Sequence, residues 1–170
     1  IGLMTSACAR RIVAFMRMHL SLALLAFALQ TSARVDVPKT GTTVPMLDVG
    51  GRPMVEVRIN GKGPYAFILD TGATHTALDA DLATEIGVTG GGWVRLDEVR
   101  VGDAVVHGVE VGRIGGLLGG LGGANPPRGV LSAAAFPGQL VILDYVGKRV
   151  TITPGALPAV GARPASLAQL

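Results

Sequence analysis

A single cysteine, Cys8, rules out any disulfide within the chain, and past that position there is no thiol chemistry to consider. The three histidines, His19, His75 and His107, are scattered without metal-ligand spacing, so no metal site is expected. No cofactor motif is present either. The "GGLLGGLGG" run looks like a phosphate cradle but lacks the Lys-Ser/Thr ending that such a loop requires. No serine sits in a nucleophile elbow, which weighs against a His75/Asp hydrolytic pair. Acidic residues are missing from the first 33 positions, which carry Arg10, Arg11 and Arg17. From Arg34 onward 15 − 3 = 12 basic residues face 12 acidic ones. The net charge of +3 and pI near 9.5 therefore belong to the N-terminal segment. The remainder is neutral, with no Lys/Arg stripe of the kind that binds nucleic acid. Aromatic residues are only 4% of the chain while Gly, Ala and Val abound, a composition for short strands and tight turns rather than a helical bundle.

What is present begins with a secretory pattern. Arg17 and His19 close a polar stretch, Leu20 to Leu29 is apolar, and "TSA" places small residues at Thr31 and Ala33. The apolar run is shorter than the roughly 20 residues that span a bilayer as a helix. The expectation is a signal region over 1–33, starting at Met16 or Met18 and cleaved after Ala33. That makes the mature protein exported, with an uncleaved membrane anchor as the alternative; N-terminal sequencing of exported protein checks it. Residues 34–43 read as a polar linker, and 154–170 as a Pro/Ala-rich tail.

Between them lies one domain, 44–153, with strand periodicity. Val44 to Val49 is the first strand candidate. "MVEVRI" alternates strictly, with Val55, Val57 and Ile59 on one face and Glu56, Arg58 and Asn60 on the other. Asn60 to Gly63 reads as a hairpin turn. Tyr65 to Leu69 is apolar on both faces, as a strand covered on both sides must be. A short helix follows, "LATEI", capped by Asp79 or Asp81 and stopped by Gly87. The Asp79/Asp81/Glu85 group is thereby a capped, solvated helix and not a carboxylate site. "WVRLDEVRV" and "AVVHGVEV" form a hairpin, with a change of apolar parity between Leu96 and Val99 that predicts a bulge. Residues 112–129 read as a mobile Gly/Pro-rich surface loop. "VLSAAAF" and the pair "LVILDY" and "RVTI" complete the domain.

The chemistry centres on Asp70. A carboxylate that ends a buried strand is costly unless something satisfies it. Gly72 allows a tight turn that aims backbone N–H groups at it, and Thr71 adds a hydroxyl. Three residues alone are weak; hairpin, buried strand, "DTGA", hydroxyl residues and a helix ending in "IG" are much stronger. "VEVRINGKGPYAFILDTGATHTALDADLATEIGV" resembles the active-site half of retropepsin-like aspartic proteases, in particular the bacterial exported aspartyl protease-like proteins. Downstream, Val130, Leu131 and Ser132 occupy a second hydrophobic motif, with serine where glycine is usual, and Asp144 matches a structural aspartate. The resemblance covers roughly Val44 to Ile152.

The resemblance implies an all-β fold, a small closed barrel-like domain with one or two short helices. It implies a periplasmic or secreted hydrolase, an aspartic endopeptidase acting on peptide or protein substrates without cofactor or metal. Asp70 would be the catalytic residue, with Thr71, Gly72, Ala73 and Thr74 forming its loop; Thr71 would bridge subunits and the Thr74 hydroxyl would brace the aspartate. One such motif per chain means that a homodimer must supply the second aspartate. Gly91, Gly92 and Trp93 stand where a flap would lie, but the segment is abbreviated; Trp93 either covers the cleft or fills core. The alternatives are a noncatalytic peptide- or polymer-binding protein of this fold, or a structural dimer serving a partner protein.

Overall fold

The computed structural model describes residues 33–115, 118–121 and 125–156. The expected signal region before Ala33, the tail beyond residue 156 and parts of the Gly-rich stretch lie outside the described residues. The elements in order are β1 (Arg34–Asp36), β2 (Thr42–Pro45), β3 (Leu47–Val49), β4 (Arg52–Ile59), β5 (Lys62–Asp70), β6 (Thr76–Asp79), α1 (Ala80–Glu85), β7 (Trp93–Val101), β8 (Ala104–Ile114), β9 (Gly129–Ser132), β10 (Gln139–Asp144) and β11 (Arg149–Pro154). Six of them close on themselves. β8 pairs with β6, β6 with β9, β9 with β5, β5 with β4, β4 with β7, and β7 returns to β8. Among the described residues the fold is all-β with a closed six-strand barrel and one short α-helix, as expected.

The alternation in β4 does what period two requires. Val55, Val57 and Ile59 are fully buried, while Glu56 and Arg58 face out. Asn60 and Gly61 both take positive φ, 49° and 78°, which closes the hairpin to β5 in the twist that flanking strands favour. β5 lies between β4 and β9, so Ala66, Phe67 and Leu69 are buried. Helix α1 is capped by Asp79, whose carboxylate accepts the Asp81 N–H at 2.9 Å, and Leu82 and Ala83 seal one side of the core. Gly129 lies opposite Phe67 with no room for a side chain: a Cβ there would stand 2.5 Å from the Ala77 carbonyl oxygen.

Four expectations need correction. The stretch read as a linker carries β1 and the start of β2. β1 pairs with β8, and Val35 and Val37 pack against the core. Polar Arg34 and Asp36, joined at 2.8 Å, hide that short strand from a periodicity reading. The single strand over Val44–Val49 is two strands. β2 joins β11 in the three-stranded sheet β10-β11-β2, β3 joins β4, and buried Met46 is the corner between them. The parity change near Asp97 is not a bulge of one strand against the other. The β7–β8 register is constant from Trp93↔Gly112 to Val101↔Ala104, because burial switches parity on both strands together, across Asp97 and Gly108. Finally, the 112–129 stretch is not loop throughout. Residues 112–114 belong to β8, Leu118 is buried and Gly119–Leu121 forms a 3-10 turn.

The β10–β11 hairpin is braced by Asp144. Its carboxylate accepts the Gly147 N–H at 2.7 Å and pairs with Arg149 at 2.9 Å. The Gly147 bond chiefly, with Arg149 adding to it, holds the Asp144 carboxyl below its ordinary value. A lowered folded-state value means that the contribution is present above the unfolded value and lost as pH falls through the folded one. Asp144→Ala should therefore lower Tm at neutral pH and cease to matter in strong acid; thermal melts of both proteins across pH check this.

Candidate active site

The barrel topology explains why a surface carboxylate sits at the end of a buried strand. β9 is inserted between β5 and β6, parallel to the first and antiparallel to the second. After Asp70 the chain must cross the C-terminal end of β9 to enter β6, and residues 71–75 make that crossing. Asp70 stands in register with Ser132 and is exposed.

The crossing loop is organised around the carboxylate. Asp70 Oδ1 accepts the Gly72 N–H at 2.8 Å and the Ala73 N–H at 3.2 Å. A Cβ on Gly72 would stand 3.4 Å from Asp70 Oδ1, an ordinary contact distance, so the turn draws on the backbone N–H groups and not on an absent side chain. Two N–H donors on one oxygen orient the group and leave it facing solvent. Thr71 is exposed beside it.

Below the loop, the second hydrophobic motif supplies a floor. Leu131 and Ser132 are each 1% exposed, and Val130 is half-buried. The Ser132 backbone N–H donates to the Thr76 hydroxyl at 3.2 Å. Its own hydroxyl donates to the Ala73 carbonyl at 2.5 Å and accepts the Ala134 N–H at 3.0 Å.

Thr74 is not placed as expected. Its hydroxyl lies 2.9 Å from His75 Nδ1 rather than on the aspartate, since the turn itself satisfies Asp70 through backbone groups. The imidazole of His75 in turn meets Trp93 edge-on, ring centres 4.8 Å apart at 66°. Trp93 is 58% exposed, so it does not fill core. Gly91 and Gly92 precede it on the surface, and the Gly92 carbonyl accepts the Arg113 N–H at 3.0 Å while the Arg113 guanidinium donates to Gly90. The abbreviated segment is thus tied to the end of β8. Thr74, His75, Thr76, Glu110, Ala134 and Pro137 line a pocket of about 160 Å³ beside the loop.

Two contributions to the site are not legible as such in the sequence. His75 reads there as a variable side chain, yet it links the Asp70 loop to Trp93. Ser132 reads only as a departure from glycine, yet its hydroxyl ties motif to loop. Neither has a local signal, because each contact joins residues that only the fold brings together.

Away from the site, a separate cluster fastens α1 to the barrel. Arg128 pairs with Glu85 at 2.9 Å and lies 5.9 Å from the centre of the Tyr65 ring. Burial first, and then Glu85, raise the Tyr65 phenol above its ordinary value.

The described residues thus form an all-β barrel in which an Asp-Thr-Gly loop crosses the end of an inserted strand. Residues 55–131 match the aspartyl protease family model. The structure is similar to the crystal structure of a retropepsin-like aspartic protease from Rickettsia conorii, with a TM-score of 0.52 and 15% identity over 75% of this chain and 98% of that one. No curated protein matches the chain. The family match over residues 55–131 and the shared fold both support a retropepsin-like aspartic protease reading of the chain.

Proposed function

We propose that this protein is an aspartic endopeptidase of exported location, active as a homodimer in which two copies of Asp70 share one bound water. The observation that carries the reading is the Asp70 loop, an exposed carboxylate oriented by the Gly72 and Ala73 N–H groups. A two-fold axis through exposed Asp70, Thr71 and Gly72 would bring the second aspartate in without a second motif in the chain. Thr71 would bridge the two loops. The β10-β11-β2 sheet offers further contact surface, with Tyr145 and Val146 exposed at its turn.

In such a dimer the two carboxylates share a proton, because like charges about 3 Å apart cannot both persist; aspartic proteases are the standard instance of this effect. The ionised member takes a proton from the water, whose oxygen bonds to the scissile carbonyl carbon. The protonated member gives its proton to the carbonyl oxygen, yielding a neutral tetrahedral diol. Collapse of the diol breaks the C–N bond, with a proton passing to the departing nitrogen. The titration belongs to the pair, not to either copy.

The test is incubation of purified mature protein with a diverse peptide library between about pH 3 and 7, the span in which a carboxylate pair works. Cleavage supports the reading. A dimer that binds peptides without cutting them would favour the noncatalytic alternative, consistent with the short Gly90–Trp93 segment.

Trp93 gives a second readout, since it is the sole tryptophan in the chain. Standing beside His75, it would cover substrate bound over the Asp70 loop. Trp93→Ala should raise KM several-fold more than it lowers kcat. Stability should change by no more than about 0.5 kcal/mol, because the ring is largely exposed. Steady-state kinetics and thermal melts check both.

A further inference from the structure

Buried hydroxyls in a barrel of this size need a purpose or a partner, and Ser132 has three hydrogen bonds in and around the loop that crosses above it. Its backbone N–H is held by Thr76, which is itself buried, so the residue cannot shift along β9. The hydroxyl accepts from Ala134, which fixes its lone pairs and directs its single proton at the Ala73 carbonyl. Ala73 is also the residue whose N–H reaches Asp70. One Cα therefore joins the carbonyl that Ser132 holds to the amide that Asp70 needs. A glycine at 132 would supply no donor, and the Ala73 peptide would be free to rotate.

We propose that Ser132 is a positioning residue for the Asp70 loop, its hydroxyl pinning the Ala73 carbonyl so that the Gly72 and Ala73 N–H groups stay aimed at the carboxylate. This rests on Asp70 being the catalytic group, but the geometry of the loop can be read without any activity. Ser132 touches no substrate; it acts through Ala73. The bond is directional, so size alone does not replace it.

The experiment compares the mature wild-type protein with Ser132→Ala, Ser132→Gly and Ser132→Cys. The cysteine variant retains side-chain bulk but donates weakly, and it serves should the smaller side chains unfold the protein. In Ser132→Ala, exchange of the Gly72 and Ala73 amides with solvent should accelerate about tenfold, while core amides such as Val57 and Val106 keep their wild-type rates. With cleavage measured, kcat should fall about tenfold and KM should stay within about twofold. Ser132→Gly should behave as Ser132→Ala, and Ser132→Cys should lie between them and wild type. Unchanged exchange at Gly72 and Ala73 would overturn the proposal, as would uniform acceleration at every amide, which marks a general loss of stability. If wild type cleaves nothing, the peptidase reading fails while the exchange measurement still decides the role of Ser132.

Discussion

Asp70→Asn protein should fold, dimerise and lose peptide cleavage by on the order of 10²–10⁴-fold or more, the range that general acid–base groups supply. The asparagine still accepts the Gly72 and Ala73 N–H groups through its amide oxygen, so the loop keeps its shape. What disappears is the ability to take up and return a proton. Because the residue is exposed at the end of β5, removing its charge leaves no buried group unsatisfied, and Tm should stay close to wild type. Peptide hydrolysis across the acidic range, together with sedimentation of both proteins, measures the two halves of this expectation. Equal cleavage by wild type and Asp70→Asn, with both dimeric, would end the enzyme reading.

Gly129→Val should abolish the folded state or bring it close to its limit. A Cβ at this position would stand 2.5 Å from the Ala77 carbonyl oxygen and 2.6 Å from Cζ of the Phe67 ring. The first is backbone of the neighbouring strand β6, and the second is a ring that is 1% exposed, so neither can yield cheaply. Forcing atoms into such a site costs about 3 kcal/mol or more, a large share of the about 5–15 kcal/mol that holds a domain together. Gly115→Ala provides the contrast, since nothing lies within 4 Å of its added Cβ and it should be nearly neutral. Urea unfolding of the two variants against wild type separates a packing effect from a general intolerance of glycine replacement.

Much of this arrangement is legible from local sequence. The alternation of Val55, Val57 and Ile59 marks the buried face of β4, Asn60 and Gly61 mark its turn, and Asp79 with Gly87 brackets the helix. Asp70-Thr71-Gly72 stands out because a carboxylate at the end of an apolar strand needs an explanation. What the sequence conceals depends on contacts between distant residues. The insertion of β9 between β5 and β6 pairs Asp70 with Ser132, far along the chain, and no period reveals a parallel pairing of that reach. The Ser132 hydroxyl therefore reads as a deviation when it is a bond donor to the loop. Proximity in sequence points Thr74 at the aspartate, but the tight turn already satisfies Asp70 from the backbone. β1 is hidden because three residues with two charges carry almost no pattern. The parity change at Asp97 looks like a one-strand bulge because its mate at Gly108 lies on the partner strand.

If two chains each supply one aspartate, mixing the chains tests it most directly. A fixed amount of wild-type protein is incubated with increasing Asp70→Asn protein under conditions of subunit exchange, and peptide cleavage is followed. A mixed dimer holds one aspartate and is inactive, so at roughly ninefold excess of the variant about a tenth of the activity should remain, the share of wild-type chains still paired with each other. Activity that stays constant at every excess, while subunits demonstrably exchange, would contradict the shared dyad.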